Sequence, residues 1–473
     1  MNRRRFHQWG MLGITLLAMA ARLTHLEARS LWVDEGITYA RATLPWNTVV
    51  SQLLLVLKQT PLYYGVMQLW TRVAGLSSFA LRFPSVLAGT FAVPVTYIVG
   101  KRADSQHTGL LAAAMLVLNP FHLWYSQEAR MYALSILASA GILIAFTQAL
   151  KHSGRYWWAV LALISSIAYL VHFFTWTLAA AQFVVILMDL RRLHLRFRCW
   201  VVAQVVAALP ATLWVMNSLV RRGTTRLGGG WIPRPDLLAP LYTFFNYSLG
   251  YEREYSPLLL LGWVLFLAAF GLAFRYQTQG RWRQTLLAWM GVPVAATYLI
   301  SLRRPCYLDR YLSIVLPSLL IWVALGVKAL PYRCRLIGST ALLVATACAG
   351  IGVLSGARYQ KEDWRSAISQ VCQMAHPDDQ MLVASPEDLP VCHYYLQGVL
   401  PVEVGLLQQS PEGRYWFLYR IPTESNHLLG EPAGFSLAEE ADPEVRAWLR
   451  AHGHQLSGQW DYPGLALFRL EGK

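Results

Sequence analysis

Residues 79–100 read FALRFPSVLAGTFAVPVTYIVG, and Lys101 and Arg102 follow at once. As a helix these 22 residues rise about 33 Å, enough to cross a hydrocarbon core of roughly 30 Å. The apolar run is continuous and does not alternate, so it reads as a helix and not as a barrel strand. Ten further stretches of this kind lie at 9–26, 108–124, 132–150, 156–171, 173–190, 199–219, 256–275, 284–301, 310–329 and 335–355. The chain therefore reads as an α-helical polytopic membrane protein with about 11 transmembrane helices.

Composition agrees. The 473 residues are 55% hydrophobic and only 14% charged, where a soluble protein carries about 25%. A single soluble globule, a disordered chain and a fibrous repeat are excluded. The net charge of +15 sits in short caps between the apolar blocks. Arg3, Arg4 and Arg5 precede the first span. Lys101 and Arg102 follow the second, Lys151 and Arg155 the fourth, and Arg191, Arg192, Arg196 and Arg198 the sixth. Arg275, Arg281 and Arg283 follow the eighth, and Lys328, Arg333 and Arg335 the tenth. All these clusters fall on one side if the N-terminus is cytoplasmic, as the positive-inside rule requires. The charge is thus a topology signal and implies no nucleic-acid partner. Reading 1–20 as a cleaved signal peptide leaves the later topology unchanged.

Three outer segments remain. Residues 27–78 hold short amphipathic pieces at 46–57 and 61–73 that suit the membrane interface. Residues 220–255, with Gly228-Gly229-Gly230, Pro233 and Pro235, read as a flexible loop, and 302–309 as a turn. From about residue 358 the composition becomes that of a soluble module. Helical periodicity at 363–375, 389–396 and 443–452, and apolar runs at 381–384, 415–421 and 465–470, indicate a small α/β domain. The expected division is a membrane domain at 1–356 and a C-terminal α/β domain at 357–473, outside the cytoplasm. The six cysteines show neither metal-ligand spacing nor a disulfide framework. Cys372 and Cys392 either pair there or stay as thiols.

The residues that demand explanation are charges at the outer membrane ends. Trp32-Val33-Asp34-Glu35-Gly36 follows the first span, and Ser126-Gln127-Glu128-Ala129-Arg130-Met131-Tyr132 ends the third. Arg303, Arg304, Asp309 and Arg310 are again outside. Charges at a membrane boundary are costly and need a reason. Arginine placed where the positive-inside rule disfavours it, beside carboxylates, points to an anionic ligand. The planar fork of arginine suits phosphate, and a phosphate at a membrane surface points to a lipid-linked one.

At these motifs the sequence resembles the GT-C superfamily of glycosyltransferases, in the group of protein O-mannosyltransferases and lipid A aminoarabinose transferases. The matching stretches are 32–39, TPLYYGVMQLW at 60–70, the 79–100 block, NPFHLWYSQEARMYAL at 119–134, His172, and Arg310-Tyr311-Leu312 with Pro317. The resemblance covers about residues 8–330. It implies that a sugar moves, with inversion, from a polyprenyl-phosphate carrier to a lipid, glycan or protein acceptor at the outer face of the inner membrane. It also implies Asp34 as general base with Glu35 as its partner, and Glu128 and Arg130 as the second-loop motif. Relatives carry His-Pro-Pro or Lys-Pro-Pro before Leu-Tyr-Tyr; here Lys58-Gln59-Thr60-Pro61 stands, with Lys58 as the substitute donor contact. Aminoarabinose-type members have Asp where Tyr132 stands, and Glu128 one turn earlier takes that place.

Within this frame Arg310, with Arg303 or Arg304, is the candidate for the donor phosphate, and His172 for sugar or phosphate oxygens. Tyr63, Tyr64 and Trp70 are candidates for an isoprenoid groove. Asp34, Glu35 and Glu128 offer the oxygen ligands that suit Mg²⁺ or Mn²⁺, though nothing in the sequence forces a metal. Two rival readings are a flippase of lipid-linked saccharides and a noncatalytic envelope-assembly protein. A transporter places polar groups near the midplane; here they gather at one face.

Overall fold

The computed structural model describes residues 3–46, 60–152, 154–222, 232–251, 257–278, 280–355, 361–405, 414–421 and 456–471. The chain opens with α1 (Arg3–Leu23), the short α2 (Val33–Thr43), α3 (Pro61–Ala74) and α4 (Ser78–Ala103). Helices α5 (Gln106–Leu118), α6 (Pro120–Ser126), α7 (Tyr132–Lys151), α8 (Tyr156–Val171), α9 (Thr177–Leu187) and α10 (Leu190–Arg222) follow. The membrane portion closes with α11 (Ala239–Leu249), α12 (Pro257–Leu272), α13 (Trp282–Ser301), α14 (Leu316–Lys328) and α15 (Tyr332–Leu354). Among the described residues, six helices are long and apolar enough to cross a membrane, joined by one bent pair and four shorter apolar helices. Each coincides with one of the expected spans. The protein is a multi-pass membrane protein. Helix α14 is buried from Leu316 to Val327 and forms the centre of the bundle.

The third span departs from expectation. Residues 108–124 are not one helix but two, α5 and α6, bent by 60°. Pro120 has no N–H to offer the Leu116 carbonyl four residues back. It opens α6 instead, where the missing donor costs nothing, and Asn119 caps that helix by accepting from the His122 amide at 2.9 Å. The stranded Leu116 carbonyl accepts from the buried Arg22 guanidinium at 3.3 Å. Arg22 also reaches His122 Nδ1 at 2.6 Å. The bend delivers residues 127–131 to the bundle end where α2 begins.

The basic loops meet at the far ends of these helices. Tyr276 donates to Asp104 at 2.7 Å, and Arg281 pairs with Asp189 at 2.5 Å.

The C-terminal module has α16 (Trp364–Met374), α17 (Leu389–Leu396) and a five-stranded sheet. Its strands are β1 (Gln380–Val383), β2 (Val402–Val404), β3 (Arg414–Arg420), β4 (Leu456–Tyr462) and β5 (Leu465–Glu471), in the order β2-β1-β3-β5-β4. β1 runs parallel to β2 and β3, while β5 is antiparallel to β3 and β4. Strands β1, β3 and β5 and both helices match the sequence reading. β2 is only three residues long, and β4 mixes exposed and half-buried positions, so neither carries an apolar run. The expected helix at 443–452 and the amphipathic piece at 46–57 lie outside the described residues, save Trp46. Cys372 is exposed, Cys392 is buried, and both are free thiols.

Residues 220–255, read as a flexible loop, contain α11. Its Thr243 and Asn246 donate to the two carboxylate oxygens of Asp309 at 2.6 and 2.5 Å. A polar grip on a buried acid holds α11, and apolar periodicity does not report such a grip.

The module grips the first loop. Leu31 N–H donates to Tyr395 Oη at 2.7 Å, and Arg365 donates to the Glu27 carbonyl at 2.9 Å. Tyr39 of α2 meets Tyr394 of α17 edge-on at 5.0 Å. The approach is so close that a Cβ on Gly36 would stand 2.8 Å from the Val391 amide nitrogen. Gly36→Ala is therefore expected to overpack the α2–α17 contact at a cost of about 1–3 kcal/mol. The readout is a lower melting temperature in detergent with faster proteolysis of the module; an unchanged melt would show that α17 yields freely.

Candidate active site

Asp34 and Glu35 stand in the first turn of α2, where the helix dipole favours anions. Consecutive helical residues point about 100° apart, so the two carboxylates diverge. Glu35 turns inward and is fully buried. Arg82 donates to it bidentately, Nε to Oε1 at 2.8 Å and Nη2 to Oε2 at 2.7 Å. The Ala129 amide adds a third bond at 2.8 Å. Arg82 also donates to the carbonyls of Leu26 at 2.6 Å and Ser30 at 3.0 Å. One ion pair thus fastens the first loop, α4 and the 127–131 loop together.

Asp34 faces the other way and keeps 23% of its side chain exposed. Arg130 Nη2 lies 3.7 Å from its carboxylate, and Arg130 Nη1 donates to the Asp34 carbonyl at 3.2 Å and to Tyr64 Oη at 3.0 Å. Burial pushes the Asp34 carboxyl up, but the charges of Arg130, Arg310, Lys361 and Arg420 outweigh it and hold the group below its ordinary value. Asp34 is therefore ionised at neutral pH. Arg310 stands over the rings of Trp32 at 5.7 Å and Tyr311 at 5.8 Å.

Glu128 is buried, and Lys361 from the start of the C-terminal module donates to its Oε1. Burial raises the Glu128 carboxyl, with the charge of Glu35 acting the same way against Lys361 and Arg310. His172 sits against Tyr132 at 5.7 Å and Tyr311 at 5.5 Å. Burial, and next the Arg130 charge, push it down to about 3, so it is a neutral imidazole.

Among the described residues, several buried polar atoms here find no protein partner: Glu128 Oε2, Arg130 Nε, His172 Nδ1, Trp32 Nε1 and the Tyr63 hydroxyl. Each such atom costs about 1–3 kcal/mol. Their concentration among residues that also hold two carboxylates and three cations fits a site completed by a polar ligand.

Residues 58–216 match the family model described as dolichyl-phosphate-mannose-protein mannosyltransferase. No curated protein matches the sequence significantly. The fold is similar to that of ArnT from Cupriavidus metallidurans in the apo state, with a TM-score of 0.63, 14% identity and 98% of both chains covered. For ArnT bound to undecaprenyl phosphate the values are 0.60, 13% and again 98% of both. The oligosaccharyltransferase AglB from Archaeoglobus fulgidus, in complex with an inhibitory peptide and a dolichol-phosphate, matches at 0.57 and 11% identity, over 88% of this chain and 70% of that one. The chain shares the fold of these solved structures.

The fold brings Asp34, Glu35, Glu128, Arg130, Arg310, His172, Tyr63 and Tyr64 to one end of the bundle. Arg303 and Arg304 are exposed on the turn after α13. Trp70 stacks on Phe83 at 5.8 Å and donates to the Ala80 carbonyl at 2.7 Å, so it packs on α4. Lys58 lies outside the described residues. Two charged partners escaped the sequence reading. Arg82 had a signal, since a lone charge in an apolar span requires a partner. Lys361 had none, because it comes from the soluble module.

Two of the three carboxylates considered for a metal are engaged by cations. Both oxygens of Glu35 are committed to Arg82, and Lys361 occupies Glu128. Among the described residues no three His, Cys, Asp or Glu side chains converge as a metal-binding group.

The Glu35–Arg82 pair yields a stability prediction. Burial raises the Glu35 carboxyl, but the charge and hydrogen bonds of Arg82 overcome this and hold it below its ordinary value. Its contribution is complete above the unfolded glutamate pKa of about 4.3 and is lost as pH falls toward the lowered folded value. The melting temperature of the wild type is expected to drop on acidification below about pH 4. Arg82→Leu strands a buried charge at a cost of about 3–5 kcal/mol. This variant should melt lower at pH 7 and lack the acid-induced drop.

Proposed function

We propose that this protein transfers a sugar from a polyprenyl-phosphate donor to a lipid, glycan or protein acceptor at the extracytoplasmic face of the inner membrane. The observation that carries the reading is Asp34 held ionised beside Arg130 and Arg310 at a bundle end where several buried polar atoms find no partner among the described residues. Two of the similar solved structures hold undecaprenyl phosphate and a dolichol-phosphate, which supports a donor of that chemistry.

In this reading Asp34 accepts the acceptor proton as the new glycosidic bond forms. The C–O bond to the carrier phosphate breaks on the opposite side of the sugar, so configuration inverts. The electron pair leaves with the phosphate, and Arg130 and Arg310 offset the charge that grows on it. Glu35, committed to Arg82, positions the helix that carries Asp34. An apolar cavity of about 400 Å³ lies between α11, α13 and α14, lined by Phe244, Tyr247, Tyr298 and Leu319 among others. Tyr247 donates to the backbone carbonyl of Asp309, next to Arg310, at 2.6 Å. The cavity therefore suits the isoprenoid chain better than the Tyr63, Tyr64 and Trp70 surface. The division into a membrane domain at 1–356 and a module at 357–473, with the basic loops in the cytoplasm, belongs to the same reading.

The test is transfer in detergent from a panel of undecaprenyl-phosphate sugars to lipid, glycan and protein fractions of the cell envelope. Asp34→Asn should slow transfer by about 10²–10⁴-fold, the usual worth of a positioned base. Binding of undecaprenyl phosphate should be retained or tightened, because a negative charge is removed. Wild-type rates in that variant would reject Asp34 as the base.

A further inference from the structure

The transfer chemistry above leaves Lys361 unused. Lys361 comes from the module, 233 residues beyond Glu128 in sequence, and donates to its Oε1. Its Nζ lies 3.9 Å from the centroid of the Trp32 ring and 4.8 Å from that of Trp124. The Arg310 guanidinium lies 5.7 Å from the same Trp32 ring. Lys361 and Arg310 thus share one aromatic partner, although they are far apart in the chain. Lys361 is also fixed in place. Asp363, two residues on, caps α16 and donates its amide to the Pro463 carbonyl at 3.0 Å. The Arg365 amide donates to Ser30 Oγ at 3.1 Å.

The charge balance gives this placement its meaning. Glu35 is neutralised by Arg82. Arg130, Arg310 and Lys361 remain close together beside Asp34 and Glu128, and Arg29 faces the Trp124 ring that Lys361 also faces. In a region largely shut off from water, cations set this closely favour a bound anion. A sugar phosphodiester carries one negative charge that they can share. An ammonium has three donors, and Glu128 takes one of them. The aromatic faces stabilise the cation without consuming a directed bond.

We propose that Lys361 is a donor-binding residue, the third cation on the carrier phosphate, and that the C-terminal module completes the site by supplying it. This rests on the reading of the site as one for a polyprenyl phosphate and adds a residue that the membrane helices do not contain. In the absence of donor, Glu128 keeps the ammonium in place; with donor, Lys361 bridges Glu128 and a phosphate oxygen.

The experiment measures the affinity of the full-length protein in detergent for undecaprenyl phosphate. Wild type is compared with Lys361→Met, Lys361→Arg and Glu128→Gln, and the melting temperature of each is recorded. Lys361→Met is expected to weaken binding at least about tenfold, the factor carried by one charge-assisted hydrogen bond. Lys361→Arg should restore most of the affinity. Glu128→Gln should bind at least as tightly as wild type, because Lys361 is released toward the phosphate. Wild-type affinity in folded Lys361→Met would overturn the proposal. So would a Glu128→Gln variant that loses as much affinity as Lys361→Met, because the pair would then act as a structural contact alone. If Lys361→Met does not fold, the direction of the Glu128→Gln effect decides. Absence of saturable binding in wild type would instead refute the polyprenyl-phosphate reading itself and the proposal with it.

Discussion

The buried bidentate pair between Glu35 and Arg82 is the constraint on which the rest of the site depends. Taking two charges out of water is costly, and the cost is recovered only when the geometry is good and the remaining polar atoms find partners. Here they do. Arg82 spends its other donors on first-loop carbonyls, and Glu35 takes the Ala129 amide as well. The pair therefore sets the distance between the loop that carries Asp34 and the loop that carries Glu128 and Arg130. Two neighbouring acids divide the work: one is spent on structure and the other is held ionised at the edge of the cluster.

The broken third span serves the same end. A straight helix through 108–124 would carry the 127–131 segment onward along its axis. The proline bends the path by 60°, and Arg22 supplies the carbonyl partner that the proline removed. Backbone that leaves helical geometry at membrane depth is tolerated only where such partners exist. The residues that follow the bend then lie against α2.

The C-terminal module is part of the wall and not an appendage. Its tyrosines and Arg365 hold the first loop, α17 rests on the glycine after the Asp-Glu pair, and Lys361 enters the charged cluster. The side chains gathered there come from the two loops, the turn at Arg310 and the module. Each segment alone would leave charged groups exposed to water, where their mutual attraction is weak. Brought together and shielded, the same charges act strongly on one another.

The sequence by itself determined the place of the apolar stretches, two helices and three strands of the module, and the two acidic motifs. Burial in lipid demands long uninterrupted apolar runs, and charge at their ends is conspicuous against that background. Asp34, Glu128, Arg130 and Arg310 were legible for this reason. Tertiary structure decided what local pattern does not encode. It showed which of two adjacent carboxylates is tied up, that α11 is held by its grip on Asp309, and that Arg303 and Arg304 are exposed. It also showed that a lysine of the soluble module meets a glutamate of the membrane loops. Those outcomes depend on which groups meet across long separations in the chain, and the free energy of a buried charge is set by its partner in space, not by its neighbours in sequence.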